Sequence, residues 1–532
     1  MTSTEHTNKS GLYWLLKNSF RRIKDSIKSV LKNRPILAIL LLIVLIYLLI
    51  TGRASLQPIA VFARKNYLLI LIILLAFRLF LSLIGKYDWK GRLLVSAGML
   101  MVVAMSYWLG PKVYRYLALY YHYESLHKVE LGNMPLTGHE RIQPLNSIKT
   151  LINQEALSET QDATFPHFVR GNDDRYYFTS CIGPSKAYKI QQFTENMYEM
   201  LEVPADLPSP NFSGSFRSDV EFVTGELLLF SKNAHTSARK RFNLHQFFNY
   251  QPADIYYLRN DQNEWVQVVS LIKWEGFLFP RPVFGGLMIQ EQKGENNTFV
   301  KRLFLGHGKF ILPQEVKNYK YLEGQNIIPR RVARFSAECF RFSNGFLAPM
   351  PGYHNGDIRI PNLPMEQDPQ PFIVYAQLDR NTKGQLFNYF GLEPYEESKK
   401  GLNLSVFIPG DGTETVYFLD HKKRSESFIG SSAVSAKIVE SKKNYDWSEN
   451  YPVESRPYVR FLGGKNRLFW LSTIVTKAGK EQGEYIGGSI PEITLTDANY
   501  GKVVWIEQDS LINSNNWEAA IERALEPFWS KE

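Results

Sequence analysis

Three apolar runs follow one another near the start of this 532-residue chain, at residues 36–51, 67–84 and 93–109. Residues 36–50 read ILAILLLIVLIYLLI, with none of the polar positions at 3.6-residue spacing that a soluble surface helix shows. At about 1.5 Å per residue, each run is just long enough for a hydrocarbon core roughly 30 Å thick. The expected arrangement is an N-terminal three-helix transmembrane anchor over residues 36–110. One span plus an interfacial hairpin is the alternative, because Arg78 interrupts the second run. An arginine there either snorkels to the headgroups or pairs with a partner inside the membrane.

Charge is unevenly placed around this block. The chain carries +10 overall, but residues 1–35 hold +6 and residues 36–116 hold +8, leaving −4 for 117–532. A nucleic-acid binder needs its basic stripe on the folded domain itself, so that class is excluded. Flanking Lys and Arg also orient spans, since they stay cytoplasmic. With the N-terminus inside, eleven basic residues fall on the cytoplasmic side. Five fall opposite: Arg53, Arg64, Lys65, Lys112 and Arg115. The expected location is therefore the cell inner membrane, with everything after residue 111 extracytoplasmic.

Residues 11–34 alternate apolar and basic positions as an interfacial amphipathic helix would. Residues 113–131 read as a helix leaving the membrane, with Tyr116, Tyr120, Tyr123 and His127 as an aromatic stripe along one side. That stripe either packs on the chain's own body or holds a partner. Beyond a linker reaching residue 165, β-branched and aromatic runs alternate with Asn, Asp, Gly and Pro clusters, the mark of short strands. Few helices are expected: one near 145–157, then 189–201, 385–390 and 516–528. The fold class is thus an anchor followed by a large, mostly-β (α+β) soluble body. Its expected segments are 1–35, 36–110, 111–165, a first β-rich lobe at 166–312, a connector at 313–370 and a second lobe at 371–532.

Two stretches of the body resemble each other. IYYLR–NDQN–EWVQVVSLIK (255–273) and YVRFL–GGKN–RLFWLSTIVT (458–476) are hairpins of one layout, each followed by a Gly-Gly pair. The offset is near 200 residues in both places, which suggests a duplicated unit; chance likeness between β-hairpins is the competing account.

Catalytic signatures are missing: there is no P-loop, GxSxG elbow, HExxH pair or EF-hand loop. Ser237 and Lys240 match SxxK without its companion motifs and read as a solvated basic loop. His354 and Asp357, and Asp420 and His421, form the densest polar groupings and are candidate ligand positions. Cys181 and Cys339, the two cysteines, are candidates for one disulfide in an oxidising compartment. No metal site and no cofactor is expected. Residues 274–286 (WEGFLFPRPVFGG) are the most unusual stretch, with Trp274, Phe277, Phe279, Arg281 and Phe284 on a proline-stiffened loop. Such a loop suits a binding edge, an interdomain plug or contact with the outer leaflet, as well as ordinary packing. The resulting expectation is a non-catalytic structural or adaptor subunit of an envelope or membrane assembly, gripping its partner through the body. The rival classes are a membrane-tethered enzyme with a cleft between lobes, and a sensor or pore-forming effector. Expected partners are the lipid bilayer, other membrane or envelope proteins and, as a further option, a second copy of the chain.

Overall fold

Apolar composition at the start of the chain produces two long helices in the computed structural model. It describes residues 35–84, 88–153, 157–205, 217–292, 305–363, 370–379, 382–481, 484–487, 492–507 and 517–529. The expected amphipathic helix at 11–34 lies outside them. Helix α1 (Pro35–Ile84) holds the first two apolar runs in one unbroken element, with Pro58 inside it. Helix α2 (Trp89–Ser125) opens on an Asp88 cap whose carboxylate accepts from the Gly91 N–H at 3.0 Å. It runs past Pro111, so the third apolar run and the juxtamembrane helix are also one element. The three expected helices are therefore two. Gly52–Ser82 of α1, at mean hydropathy 2.0, and α2, at 1.8, are long and apolar enough to cross a membrane. Continuity of α1 has a local cause: Ala54, Gln57 and Val61, at i, i+3 and i+7, are buried against the body.

The helix ends sooner than the aromatic stripe implied. Strand β1 (His127–Glu130) follows at once, and its His127 Nδ1 meets Thr415 Oγ1 at 3.0 Å instead of continuing the stripe. Then come β2 (Leu136–Gly138) and α3 (Leu145–Leu151).

The body is built of several antiparallel sheets that follow one another along the chain. In the first, β3 (Gln161–Ala163), β4 (His167–Arg170), β5 (Tyr176–Pro184), β6 (Met197–Pro204) and β7 (Arg217–Phe222) form an antiparallel sheet, with α4 (Lys189–Thr194) between β5 and β6. The expected helix at 189–201 is thus halved, because Met197 onward pairs with strands on both sides. Helices α5 (Ala234–Arg241) and α6 (Leu244–Asn249) lead to the meander β8 (Tyr250–Arg259), β9 (Trp265–Glu275), β10 (Arg281–Glu291) and β11 (Lys309–Ile311). Pro282 sits within β10, on a part of the strand that is paired on one side only. It is tolerated because β11 pairs only with Leu287–Ile289, leaving that end of β10 without a neighbour on its other side.

Residues 313–370, expected as a connector, pack into the core through α7 (Arg330–Glu338) and β12 (Ile358–Arg359). Next come β13 (Phe372–Gln377), β14 (Gln385–Pro394), β15 (Gly401–Leu402), β16 (Leu404–Pro409) and β17 (Thr415–Asp420). Strands β13, β14, β16 and β17 form a meander to which β1 and β2 add at opposite edges, while β15 pairs with β18 (Phe428–Ile429). The helix expected at 385–390 is instead the central strand β14, because both neighbours bond it and Leu386, Phe387, Tyr389 and Phe390 are buried. Helix α8 (Ser431–Ser441) then leads to β19 (Asn450–Leu462), β20 (Lys465–Glu481), β21 (Glu484–Gly487), β22 (Glu492–Asp497) and β23 (Val503–Glu507). Helix α9 (Trp517–Trp529) packs Ile521 and Leu525 beneath that sheet. The hairpins β8–β9 and β19–β20 each carry a bulge, between Pro252 and Ile255 and between Val453 and Arg456.

Candidate functional site

Where the two helices meet the body, the chain builds its most elaborate junction. On α1, Gln57 Nε2 donates to the carbonyls of Phe247, at 3.2 Å, and Tyr250. Arg64 Nε donates to Asn249 Oδ1 at 3.2 Å. On α2, Ala118, Leu119 and His122 are buried, and His122 Nε2 lies 2.9 Å from Ser336 Oγ on α7. The stripe of Tyr116, Tyr120 and Tyr123 packs edge-on against Phe342, Phe346 and Phe340, with centroids 4.8–5.7 Å apart. That stripe faces the chain's own body.

Residues 274–286, the loop at 276–280 with the ends of β9 and β10 that carry it, are the other half of the junction. Trp274 is buried, and Lys65 and Arg331 lie over its ring at 4.2 and 5.1 Å from the centroid. Phe279 stacks on Tyr121 at 5.6 Å and meets Tyr114 at 5.7 Å. Arg281 Nη1 donates to the Tyr121 carbonyl at 2.9 Å, and Arg64 Nη2 donates to the Gly276 carbonyl at 2.6 Å. Phe284 packs against Gly412, whose φ of +82° and lack of a Cβ let the ring approach. The five aromatic and basic residues expected to hold a partner thus all contact the chain itself. Phe277 meets the chain 5.4 Å from the Tyr67 ring, but it is 76 % exposed, beside an exposed Leu278.

Beneath this loop lies a cavity of about 450 Å³. One wall comes from α1 and α2, with Leu68, Leu69, Ile72 and Val113; the other comes from the loop and α7. Lys65, Arg115, Arg331 and Arg334 line it, with Glu338 as their acidic counterpart. Arg331, Arg334, Phe335 and Glu338 share one face of α7 at helical spacing, while Val332, Ala333, Ser336 and Ala337 bury the other. Sequence reasoning missed this helix, although Pro329 directly before Arg330 is a start signal.

The polar groupings proposed from sequence are closed on themselves. Asp357 is buried and accepts from Arg341 at 2.8 and 3.2 Å; His354 Nδ1 lies 2.9 Å from it. His354 also stacks flat on Tyr395 at 3.6 Å. The Asp420 carboxylate caps a turn, accepting from the Lys423 N–H at 3.1 Å. His421 joins a relay that sequence did not reveal: Nδ1 lies 2.9 Å from Glu426 Oε2, and Nε2 lies 2.9 Å from Ser405 Oγ. This is the connectivity of a serine hydrolase triad. Ser405 and His421 are both fully buried, however, and Ser405 Oγ also lies 3.1 Å from the Tyr389 hydroxyl. Neither side chain is open to solvent in this structure.

Other sequence candidates are likewise absorbed. Ser237 and Lys240 belong to the buried α5, not to a solvated loop. Ser237 Oγ accepts from the His307 N–H at 2.6 Å, and Lys240 Nζ donates to Ser231 Oγ at 2.8 Å. Burial holds the Lys240 ammonium down to about 8. Arg78 is exposed on α1 and forms no ion pair among the described residues. No group of metal-binding side chains occurs among the described residues.

Cys181 and Cys339 are free thiols, so the expected bridge is absent. They belong to separate hydrophobic clusters: Cys181 with Met197 and Tyr257, and Cys339 with Ala333 and Phe340. Desolvation pushes both thiols well above their usual range. Both are therefore expected to resist maleimide in the folded protein and to react fully once it is unfolded without reductant. A gel shift that needs reductant would contradict this.

The chain matches no protein-family model, and neither a curated protein nor a solved structure matches it, so the functional reading stands on these residues alone.

Proposed function

We propose that this chain is a membrane-anchored, non-catalytic structural or adaptor subunit that holds a β-rich body at a fixed attitude against the bilayer. The observation that carries the reading is the junction itself: α1 and α2 pass unbroken from apolar stretches into the body and are gripped by residues 274–286. The exposed Trp89 and Trp108 on α2 mark the two membrane surfaces in this reading. Nineteen residues of helix separate them, about 28 Å at 1.5 Å per residue, close to the ~30 Å hydrocarbon thickness. Arg78 then sits near the end away from the body and snorkels to the far headgroups.

A bend at Gly52, where an added Cβ would meet nothing within 4 Å, would turn residues 36–51 back into the bilayer as a third span, although α1 is continuous through it in this structure. A straight α1 would carry the exposed Ile39, Leu42, Ile43 and Val44 past the body into water, which their apolar surface opposes. Three spans with the basic N-terminus inside give an inner-membrane protein with an extracytoplasmic body. The repeated order of sheet, helical segment and antiparallel meander supports two related lobes.

Purification of the full chain from gently solubilised membranes tests the adaptor role. A stoichiometric protein partner, lost when exposed body residues are altered, is expected; a homogeneous chain that purifies alone contradicts it. The Glu426–His421–Ser405 relay favours a second reading, a hydrolase. Burial of Ser405 leads to the expectation that a fluorophosphonate probe leaves the folded protein unlabelled. Labelling that disappears in Ser405→Ala would establish the enzyme instead.

A further inference from the structure

The junction cavity has the chemistry of a lipid site. Its lower wall is apolar and belongs to the α1–α2 pair: Leu68, Leu69 and Ile72 face Val113, and Leu69 closely approaches Gly110. Its upper rim is cationic, with four basic side chains against one carboxylate among the described residues. That carboxylate is already engaged. Glu338 pairs with Arg115 at 2.5 Å and accepts from Arg334 Nε at 3.4 Å, while Arg334 Nη1 donates to the Gln370 carbonyl at 3.0 Å. Lys65 and Arg331 have no carboxylate at ion-pair distance among the described residues; both instead share the Trp274 ring. Two like charges near one aromatic ring repel each other, and an anion within reach of both offsets that cost.

Position selects the anion's source. Gly110 and Pro111 line the cavity, and they lie in sequence between Trp108 and Lys112, whose ammonium is 4.3 Å from the Trp108 ring centroid; with Trp108 at the membrane surface, the cavity lies at the level of the headgroups. Its volume falls within the roughly 300–1,000 Å³ of small-molecule sites. We propose that this cavity binds one anionic lipid of the surrounding bilayer, with its phosphate held by Lys65 and Arg331 and an acyl chain laid along Leu68, Leu69 and Ile72. The inference rests on the membrane placement of α1 and α2 and is independent of the adaptor role.

The test uses the full chain in mild detergent, with dioleoylphosphatidylglycerol, dioleoylphosphatidylcholine and inorganic phosphate as separate probes, read by native mass spectrometry. Retention of one phosphatidylglycerol per chain in preference to phosphatidylcholine is expected, and inorganic phosphate at millimolar levels leaves it in place. Lys65→Gln with Arg331→Gln removes two charge-assisted contacts and weakens retention about ten-fold or more. Lys65→Arg with Arg331→Lys keeps it, and Lys90→Gln, at the far end of the helix pair, changes nothing. A melting curve recorded in parallel separates lost binding from lost folding; the charge-retaining pair reports on binding if the first pair misfolds. Equal retention of both lipids, displacement by phosphate, or undiminished retention in the double glutamine variant would overturn the proposal. Failure of the chain to enter lipid nanodiscs at all would instead refute the membrane placement.

Discussion

Glu454→Gln is expected to cost about 3–5 kcal/mol of folding stability. Glu454 is almost fully buried, and its two carboxylate oxygens accept from both Nη groups of Arg141, with Nη1 at 2.9 Å from Oε2. Arg456, equally buried, has its guanidinium 3.9 Å from the same carboxylate. Glutamine has nearly the same shape but no charge, so both buried guanidinium groups would lose this carboxylate as an ion-pair partner. The consequence is more than local. Arg141 lies on the segment between the helix pair and the first sheet, whereas Glu454 lies on β19. The pair therefore ties the membrane-proximal segment to the C-terminal sheet across 313 residues of sequence. Chemical denaturation of the detergent-solubilised protein checks this. A change below about 1 kcal/mol, the scale of an exposed ion pair, would mean that water reaches the site.

Trp274→Ala is expected to cost a similar ~3–5 kcal/mol, whereas Phe277→Ala, three residues away, should change melting by less than about 0.5 kcal/mol. The contrast follows from burial. Trp274 is 5 % exposed, donates from its indole N–H to Gln251 Oε1 at 3.3 Å and lies beneath two cations. Phe277 is 76 % exposed and touches Tyr67 alone among the aromatic rings. Comparable destabilisation by the two substitutions would show that the loop is ordinary core and does not present Phe277 outward. Both variants are scored by melting and by the fraction of protein recovered in the membrane, so that misfolding and mislocalisation are told apart.

The contrast also shows what local sequence reveals. The apolar runs at 36–51, 67–84 and 93–109 announced themselves because hydrophobicity is a property of each short window. That the first two share one helix was not visible, because it depends on what Ala54, Gln57 and Val61 pack against. The β-hairpins at 255–273 and 458–476 were legible from alternation and turn residues, and the structure builds both as paired strands. The stretch at 385–390 was misread because its neighbours in the sheet, not its own propensity, make it a strand. Residues 274–286 stood out correctly as unusual, yet their contacts with Tyr67, Tyr114 and Tyr121 lie more than 150 residues away. The cavity was the least legible feature. Lys65, Arg115, Arg331 and Arg334 come from three helices, and no single window holds more than two of them. The Ser405–His421–Glu426 relay was hidden for the same reason: one strand register and one turn bring it together.

The central claim is that residues 274–286 hold the body against the bilayer beside α1 and α2. Phe277→Cys labelled with an NBD fluorophore in the full chain tests it most directly, because the native thiols are buried and stay silent. In phosphatidylglycerol–phosphatidylcholine vesicles the account predicts blue-shifted emission, quenched by a nitroxide at shallow lipid depth and protected from aqueous iodide. Emission as in water, quenched by iodide and indifferent to the lipid nitroxide, would place the loop away from the membrane and contradict the account.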